Sequence, residues 1–304
     1  MLPTVWRINI KTAAEPGTDP RQFCIDQRCL GVGWRAGNSE TLDWQVYEAL
    51  ARAAYPNDKG WWPALNALRN RMRDNDLCWT RDIQGIYYLG RIDGPWEYIA
   101  RPENLRADVV NIRHCEWLKV GPIDAVPGKV VSSFRPNRTA QRVDDETVRV
   151  FSAYFYNCHT QSAVQYKIPP VSPDIFALLS DEDCEDLVAL YMQLAGYVLL
   201  ASTCKSSTAA YEFVMRHSQT GERAAAQVKT GYHEINMAAY SSFPGKVYLF
   251  SSKGRYTGER GSNIICLSPD DMTAFLHANE HILPERVMVW LAIARDLSAD
   301  ARTV

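Results

Sequence analysis

Four residues in the second half of the chain have the types and the spacing expected of a metal-dependent hydrolytic site. Glu185 falls in a helical pattern, Glu212 in a strand, and Gln227 and Lys229 at the end of the next strand. Residues two apart on a strand face the same side, so Gln227 and Lys229 point together. A hairpin turn at 220–221 would bring Glu212 to the same place.

These side chains are suited to phosphodiester hydrolysis. Carboxylate and amide oxygens are hard ligands for Mg²⁺, with Mn²⁺ as an alternative. The ion would polarise a phosphodiester and lower the pKa of a bound water, while Lys229 would orient that water and offset charge that develops on the phosphate. A second interpretation stays open: Glu212 and Lys229 form an ordinary cross-strand ion pair, and Gln227 is incidental.

The stretches that carry these residues resemble the Mrr-like branch of the PD-(D/E)xK restriction endonucleases. They are CEDLVALYMQLAGY (184–197), YEFVMR (211–216) and AAAQVKTG (224–231). The resemblance implies that Glu185, Glu212 and Gln227 hold the metal ion and that Lys229 is the catalytic lysine. The strand acid of this family is usually aspartate, whereas this chain has Glu212. If Glu212 is not a ligand, the domain is inactive or takes its acid from elsewhere.

Basic residues accompany this stretch. From Lys205 to Arg260 they outnumber acidic residues, and the glycine-rich segment 251–263 carries Lys253, Arg255 and Arg260. We predict that these three contact DNA phosphates, with a solvated hairpin tip as the alternative. The whole chain has a formal charge of −2. This excludes a protein that holds nucleic acid by bulk charge alone.

Tryptophan is concentrated in the first half, since all of the 9 tryptophans except Trp290 precede residue 118. Several follow glycine or proline at strand ends and in loops, where an aromatic ring can stack on a flat or cationic group. A nucleobase taken out of its stack is such a group. Buried tryptophans usually belong to the core, and this is the first interpretation for Trp6, Trp44 and Trp117.

The first half also resembles an EVE-like module of the PUA superfold, through FCIDQRCLGVGW (23–34), DLCWTRDIQGIYYLGRIDGPWEY (76–98) and AVPGKVVSSFRPNRTAQRV (125–143). The resemblance implies a β-barrel-like module with an aromatic pocket for a modified base. We place Trp34 and Trp79 first in that pocket, and then Trp61, Trp62, Trp96, Ser132 and Ser133. Three arginines at a helix end are predicted to reach DNA phosphates, with a solvated helical face as the alternative: Arg69, Arg71 and Arg73.

The elements that position these residues indicate two domains, of α+β or α/β class. The first covers 1–160, a proline-rich linker covers 161–174, and a mixed-sheet restriction-endonuclease-like domain with flanking helices covers 175–304. Apolar spacing predicts helix over 43–73 and a helix from Ser180 to Gly196. Strands are predicted at 5–10, 76–79, 86–92, 129–134, 147–153, 210–217 and 224–229.

The chain start resembles no signal peptide, and no apolar run is long enough for a membrane span, so we expect a cytoplasmic protein without a membrane partner. The 8 cysteines lack zinc-finger spacing and are predicted to be reduced core thiols.

These observations together predict a modification-dependent restriction endonuclease of type IV-like class, which defends against phage. It would bind a flipped modified base in double-stranded DNA and cleave nearby with Mg²⁺. A homodimer is expected, because cutting both strands needs two active sites. The alternatives are an RNA-directed nuclease and a non-catalytic protein that binds modified nucleic acid through an inactive nuclease fold.

Overall fold

The computed structural model describes residues 2–204 and 211–300. They form two compact units, one that extends to Ser172 and one that covers Pro173–Asp296. The division falls in the proline-rich stretch KIPPVSPD. The basic residue Lys205 and the predicted strand start at Ala210 lie outside the described residues.

The first unit combines strands and short helices. Its strands are β1 (Val5–Ile8), β2 (Cys29–Val32), β3 (Leu77–Arg81), β4 (Tyr87–Tyr98), β5 (Asn111–Gly121) and β6 (Ala140–Arg142). Its helices are α1 (Pro20–Asp26), α2 (Trp44–Ala54), α3 (Trp61–Asn66), α4 (Pro102–Ala107), α5 (Gly128–Ser133) and α6 (Glu146–His159). A π-helical turn, Ala67–Arg71, continues α3.

These strands form one sheet of 6 strands in the order β2-β5-β4-β3-β1-β6. β1 and β3 are parallel, and the other neighbours are antiparallel. Within the described residues β2 and β6 each pair on one side, so the sheet has two free edges. The predicted β-barrel-like module is therefore corrected to an open mixed sheet with helices.

Two segments that we predicted as strands are helical. Residues 129–134 begin in α5, and 147–153 lie in α6. The Asp145 carboxylate accepts a hydrogen bond from the Val148 N–H at 3.1 Å and caps α6. Valine and aromatic residues favour a strand locally. This cap and the burial of one helical face, which includes Val148 and Phe151, override that preference.

The second unit contains a mixed sheet. Its strands are β7 (Tyr197–Leu199), β8 (Phe213–His217), β9 (Arg223–Lys229), β10 (Ile235–Asn236), β11 (Lys246–Ser251), β12 (Tyr256–Thr257) and β13 (Ile264–Leu267). Its helices are α7 (Ile175–Leu178), α8 (Asp181–Leu194), α9 (Pro269–Ala278) and α10 (Glu285–Asp300), of which this unit includes the part up to Asp296. The main sheet has the order β13-β11-β9-β8-β7, and β10 pairs with β12. β13, β11 and β9 are parallel, whereas β8 and β7 are antiparallel, so the predicted mixed arrangement is confirmed.

Helix α8 has the boundaries that the sequence predicts. The Ser180 hydroxyl accepts a hydrogen bond from the Asp183 N–H, and the Asp183 carboxylate accepts one from the Ser180 N–H. Gly196 follows the helix with a φ of +91°, which glycine adopts without strain. α8 buries Cys184 and Leu187 and lies against β9. No described helix combines the length and the apolar character needed to cross a membrane.

Candidate functional site

The end of β9 brings together three of the four residues predicted to form the hydrolytic site. The Glu212 N–H, just before β8, donates to the Ala226 carbonyl at 2.9 Å and continues the β8–β9 hairpin. The Gln227 Nε2 then donates to the Glu212 Oε1. The Lys229 Nζ lies 3.6 Å from the same oxygen. Because side chains two apart on β9 face the same side, the Gln227 amide and the Lys229 ammonium both contact the Glu212 carboxylate.

The three side chains differ in exposure. Gln227 is 4% exposed, whereas the side chains of Glu212 and Lys229 are 26% and 43% exposed. The cross-strand ion pair of the second interpretation is therefore present. An exposed ion pair stabilises a protein by about 0–1 kcal/mol, and it does not account for a buried glutamine whose amide holds the same carboxylate.

Glu185 on α8 is electrostatically linked to this cluster. Its side chain is half-buried, and burial, followed by the negative charge of Glu212, raises the pKa of Glu185 to about 7. Two carboxylates that repel each other in a partly desolvated site favour either a proton or a cation between them. Electrostatic repulsion therefore links the helix acid to the strand acid, and their joint binding of a metal ion stays a prediction.

Two contacts fix the first turn of α8. The Thr230 hydroxyl, one residue beyond β9, donates to the Asp181 carboxylate. The Arg286 Nε donates to the buried Asp183 carboxylate at 2.6 Å and ties α8 to α10. Because Glu185 is one turn beyond Asp181, these contacts position its carboxylate relative to the end of β9.

The raised pKa of Glu185 predicts a pH-dependent stability that Glu185→Gln removes. A carboxyl whose pKa is higher in the folded protein stabilises the fold below its ordinary pKa, and that stabilisation is lost as pH rises through about 7. Relative to Glu185→Gln, the wild type should lose about 1–2 kcal/mol of unfolding free energy between pH 4.5 and 8, a range that allows for solvent screening.

Urea denaturation without divalent metal at a series of pH values measures this difference. Glu182→Gln is the matched control, because Glu182 lies in the first turn of α8 and its side chain is 82% exposed. The charge of Glu182 is one of the smaller causes of the raised pKa of Glu185, so the control should keep most of the pH dependence of the wild type. Parallel profiles for Glu185→Gln and the wild type would contradict the prediction.

Binding of a hard divalent cation at this site stays a prediction, and the oxygens close to Gln227 are the groups that could contribute to it. The Gln227 Nε2 donates to the Glu212 Oε1 and lies 3.3 Å from the Val228 carbonyl, so protein oxygens converge on the amide. The oxygen and nitrogen ends of an amide are assigned from their hydrogen-bond partners. A rotation of the Gln227 amide by half a turn would therefore place its own oxygen beside those of Glu212 and Val228. In the described part of the chain, no cluster of three or more His, Cys, Asp or Glu side chains could hold a metal. Any ion here would therefore need amide or backbone oxygens as well as carboxylates.

The three basic residues predicted to contact phosphates already contact the protein. The Lys253 Nζ lies 2.5 Å from the Asp174 carboxylate and 5.6 Å from the centre of the Tyr232 ring. The Arg255 guanidinium lies 5.3 Å from the same ring, and the Arg260 Nε donates to a backbone carbonyl at 3.0 Å. Their contact with DNA stays a prediction.

In the first unit, Trp34 lines a cavity of 380 Å³. Tyr55, Asp58 and Asp108 line it too, together with residues 9–13 after β1. A nucleobase is small enough to enter a cavity of this size. The Trp34 Nε1 donates to the Asp58 carboxylate at 2.7 Å, which fixes the ring at the cavity wall.

Trp34 has a strained backbone. Its φ is +63°, a left-handed conformation that a bulky residue rarely adopts and that costs about 1–3 kcal/mol. The Tyr47 hydroxyl donates to the Trp34 carbonyl at 2.9 Å, and the Asn111 Nδ2 donates to the Gly33 carbonyl at 2.5 Å. Strain that surrounding bonds maintain is typical of ligand sites, which favours a binding role for Trp34.

The prediction for Trp79 is corrected, because this side chain belongs to the core. Trp79 is 0% exposed, its Nε1 donates to the Ser152 hydroxyl of α6 at 3.0 Å, and its ring stacks on Phe151 with 6.4 Å between centroids. A ring covered in this way cannot stack on a base. Trp34 and Trp79 therefore do not share a cavity.

The other predicted tryptophans lie apart from the Trp34 cavity. Trp61 is 5% exposed and belongs to the core. Its neighbour Trp62 is partly exposed beneath the Arg52 guanidinium, at 4.7 Å. Trp96 lines a second cleft of 870 Å³ and meets Trp44 edge-on at 5.0 Å. The predicted single pocket is therefore corrected to one cavity at Trp34 and a separate cleft at Trp96.

The two serines predicted for the pocket line neither cavity. The Ser132 hydroxyl donates to the Lys129 carbonyl at 3.1 Å, and the Ser133 hydroxyl donates to the Val130 carbonyl at 2.6 Å. Both bonds lie within α5, which we predicted as a strand. Each hydroxyl thus donates its proton within α5 and keeps only its capacity to accept.

The three predicted arginines differ in their surroundings. The Arg69 guanidinium lies 4.7 Å from the Trp44 ring, and the Arg71 guanidinium lies 5.2 Å from the Trp6 ring. Arg69 and Arg73 line the cleft of Trp96. Phosphate contact stays a prediction for all three.

Several residues of the Trp34 cavity were not predicted: Asn9, Tyr55, Asp58 and Asp108. The segment PNDKG (56–60) interrupts the helix that we predicted over 43–73, and in this turn the Gly60 N–H donates to Asp58 at 2.7 Å. No local pattern links that loop to Asn9 or Asp108, which the sheet brings to the same place.

Comparison with known proteins does not assign the chain to a family. No protein-family model matches the chain, and no curated protein matches it. Among solved structures, the DNA modification-dependent restriction endonuclease AspBHI is similar to this chain, with 11% identity, coverage of 90% of this chain and 79% of that chain, and a TM-score of 0.24. A TM-score of that size does not establish a shared fold.

Proposed function

We propose that the chain is a modification-dependent DNA endonuclease. Its first unit binds a modified base flipped out of duplex DNA, and its second unit hydrolyses a phosphodiester bond nearby with Mg²⁺. The observation that carries the proposal is the convergence of Gln227 and Lys229 on the Glu212 carboxylate at the end of β9.

The four predicted site residues of the second unit have distinct roles in this reaction. Glu212, Gln227 and Glu185 would hold the divalent ion, which when bound supplies polarisation of the phosphate and a more acidic water. Lys229 is the most exposed member of the trio at β9. Its ammonium would orient the attacking water and stabilise the charge that develops on the phosphate oxygens.

The first unit supplies the recognition step. A flipped base would enter the cavity at Trp34 and stack on its ring, which the Asp58 bond already holds in place. Flipping costs a few kcal/mol, and stacking contributes about 1–3 kcal/mol per base. Cleavage of both strands then requires two nuclease units, so we propose that two copies of the chain act together on DNA.

Cleavage assays on matched DNAs test the proposal. We expect the protein to cut 5-methylcytosine or 5-hydroxymethylcytosine DNA with Mg²⁺, to leave plain DNA of the same sequence intact, and to cut nothing with EDTA. Equal cleavage of all three DNAs would contradict the recognition step. Tight binding to one modified DNA without cleavage under any condition would favour the non-catalytic alternative. Cleavage confined to modified RNA would favour the RNA-directed nuclease.

A further inference from the structure

Two polar side chains at the Trp34 cavity have hydrogen-bonding capacity that the protein does not use. Asn9 is 6% exposed and lines the cavity, and its amide has no hydrogen-bond partner among the described residues. Trp96 Nε1 and Asn111 Oδ1 are the solvent-inaccessible side-chain atoms without a partner in the described part of the chain. The Asn9 amide is not among these atoms, so its polar atoms reach solvent. Because Asn9 lines the Trp34 cavity, we take this solvent to be in the cavity.

Asp108 is the second such group. Its Oδ2 accepts a hydrogen bond from the Ala13 N–H at 2.9 Å, which leaves the Oδ1 for a ligand. The carboxylate packs against Gly33, where a Cβ atom would lie 2.5 Å from the Oδ2, so it lies next to the backbone of Trp34. Burial raises the pKa of Asp108. A partly desolvated carboxylate gains from a ligand that donates a hydrogen bond to it.

Asp58, the other carboxylate of the cavity, is already occupied. Its Oδ2 accepts from the Trp34 Nε1, and its Oδ1 accepts from the Gly60 N–H. The lining of the cavity thus includes the Trp34 ring held by Asp58, the Asn9 amide and the Asp108 carboxylate, in addition to Tyr55 and Lys11.

We propose that Asn9 and Asp108 recognise the Watson–Crick edge of the base stacked on Trp34, and that they select a base with an exocyclic amino group. This inference rests on the proposed recognition of a flipped base. An ionised carboxylate only accepts hydrogen bonds, whereas an amide both donates and accepts. The amino group of cytosine or adenine donates to Asp108, and Asn9 donates to the adjacent ring nitrogen. Uracil derivatives present a carbonyl oxygen where cytosine has the amino group, and that oxygen meets the carboxylate without a proton between them.

Duplexes with 5-hydroxymethylcytosine or 5-hydroxymethyluracil at one position test the inference. Each modified base is placed opposite an abasic site, so that the cost of flipping is the same, and a duplex with unmodified cytosine is measured beside them. Binding is followed by fluorescence anisotropy in EDTA, so that no cleavage occurs. We expect the wild type to bind the cytosine derivative about 10- to 100-fold more tightly than the uracil derivative, because the mismatched pair leaves buried polar groups unpaired.

Asp108→Asn should lose most of this preference, because the Ala13 N–H keeps the remaining oxygen at the Oδ2 position and the NH2 group, a donor, takes the place of Oδ1. The substitution preserves the side-chain shape, and asparagine tolerates the φ of +49° at this position. Asn9→Ser is the second variant and should weaken binding of the cytosine derivative. Asp58→Asn is the matched control: it should weaken binding of both derivatives through Trp34 and keep the ratio between them.

Different outcomes of this experiment test the recognition of modified DNA and the selection of a base with an amino group. If both derivatives bind equally and more tightly than unmodified cytosine, recognition of modified DNA stands and the inference is overturned. The inference is also overturned if the preference survives in both Asp108→Asn and Asn9→Ser with the folded state verified by circular dichroism. If neither derivative binds more tightly than unmodified cytosine, the recognition function itself fails, and the inference with it.

Discussion

Lys229→Ala should lower the rate of DNA cleavage by about 100- to 1000-fold, the usual effect of removing one group that stabilises charge in a transition state. The ammonium lies 3.6 Å from the Glu212 carboxylate, and its side chain is 43% exposed. It is thus close to the proposed metal ligands and accessible to a phosphate. Binding of modified DNA should stay within a few-fold of the wild type, because recognition is assigned to the first unit.

Lys246→Ala is the matched control for this prediction. Lys246 lies on β11 at the opposite end of the same pair of strands, where it pairs with Ala224 of β9. Its side chain is also 43% exposed, and its Nζ lies 3.1 Å from the Glu222 carboxylate. The two lysines therefore have the same exposure and each pairs with a glutamate, but only the glutamate beside Lys229 also accepts a hydrogen bond from Gln227.

The comparison of the two variants separates the two interpretations of the β9 cluster. If Lys229 belongs to an ordinary ion pair, both variants lose about 0–1 kcal/mol of stability and cleave at the same rate. Single-turnover cleavage with saturating Mg²⁺, together with urea denaturation of each variant, gives both quantities. A cleavage rate for Lys229→Ala equal to that of Lys246→Ala would contradict a catalytic role.

The site on β9 could be predicted because its determinants are local. The spacing of Gln227 and Lys229 fixes their common side, and the tight turn between β8 and β9 fixes the register that places Glu212 beside them. Such features depend on strand geometry alone. To place Glu185, the helix that contains it also had to be predicted, and the N-cap residue Ser180 identified where that helix begins.

The surroundings of the predicted pocket tryptophans were predicted less well, and the error at Trp79 has an identifiable origin. We grouped Trp34 and Trp79 because each comes at the end of an apolar run in the sequence. What separates them is α6, which supplies Ser152 and Phe151 to cover Trp79. We predicted part of α6 as a strand because its valine and aromatic residues favour one. Because α6 was missing from our prediction, the burial of Trp79 against it could not be predicted either.

Asn9 and Asp108 could not be found from spacing. Asn9 follows β1, whereas Asp108 ends α4 in a left-handed conformation. Their approach depends on the order of strands in the sheet and on the absence of a side chain at Gly33. Strand order of this kind is a long-range property, and a single sequence shows no periodic pattern for it.

Trp34→Ala should weaken binding of modified DNA by about 10- to 100-fold, in line with the 1–3 kcal/mol that stacking of one base contributes. Binding of unmodified DNA should change little, because contacts to the phosphate backbone do not involve this ring. The preference for modified over plain DNA should therefore nearly disappear. Cleavage of modified DNA at protein concentrations high enough to saturate it should persist, because the β9 cluster is intact.

Trp117→Ala is the matched control for loss of a tryptophan. Trp117 is half-buried like Trp34, and its Nε1 also donates one hydrogen bond, to the Cys29 carbonyl at 2.8 Å. It lines neither the cavity of Trp34 nor the cleft of Trp96. Trp117→Ala should reduce thermal stability and leave the binding preference unchanged.

Trp34→Gly distinguishes the ring from the backbone conformation. Glycine adopts the φ of +63° at position 34 without strain, so this variant relieves the left-handed conformation and still lacks the ring. If the ring binds the base, Trp34→Gly should lose the preference as completely as Trp34→Ala, even though its backbone is better accommodated. A preference retained in Trp34→Gly and lost in Trp34→Ala would show that the shape of the loop, rather than stacking on the indole, recognises the modified base.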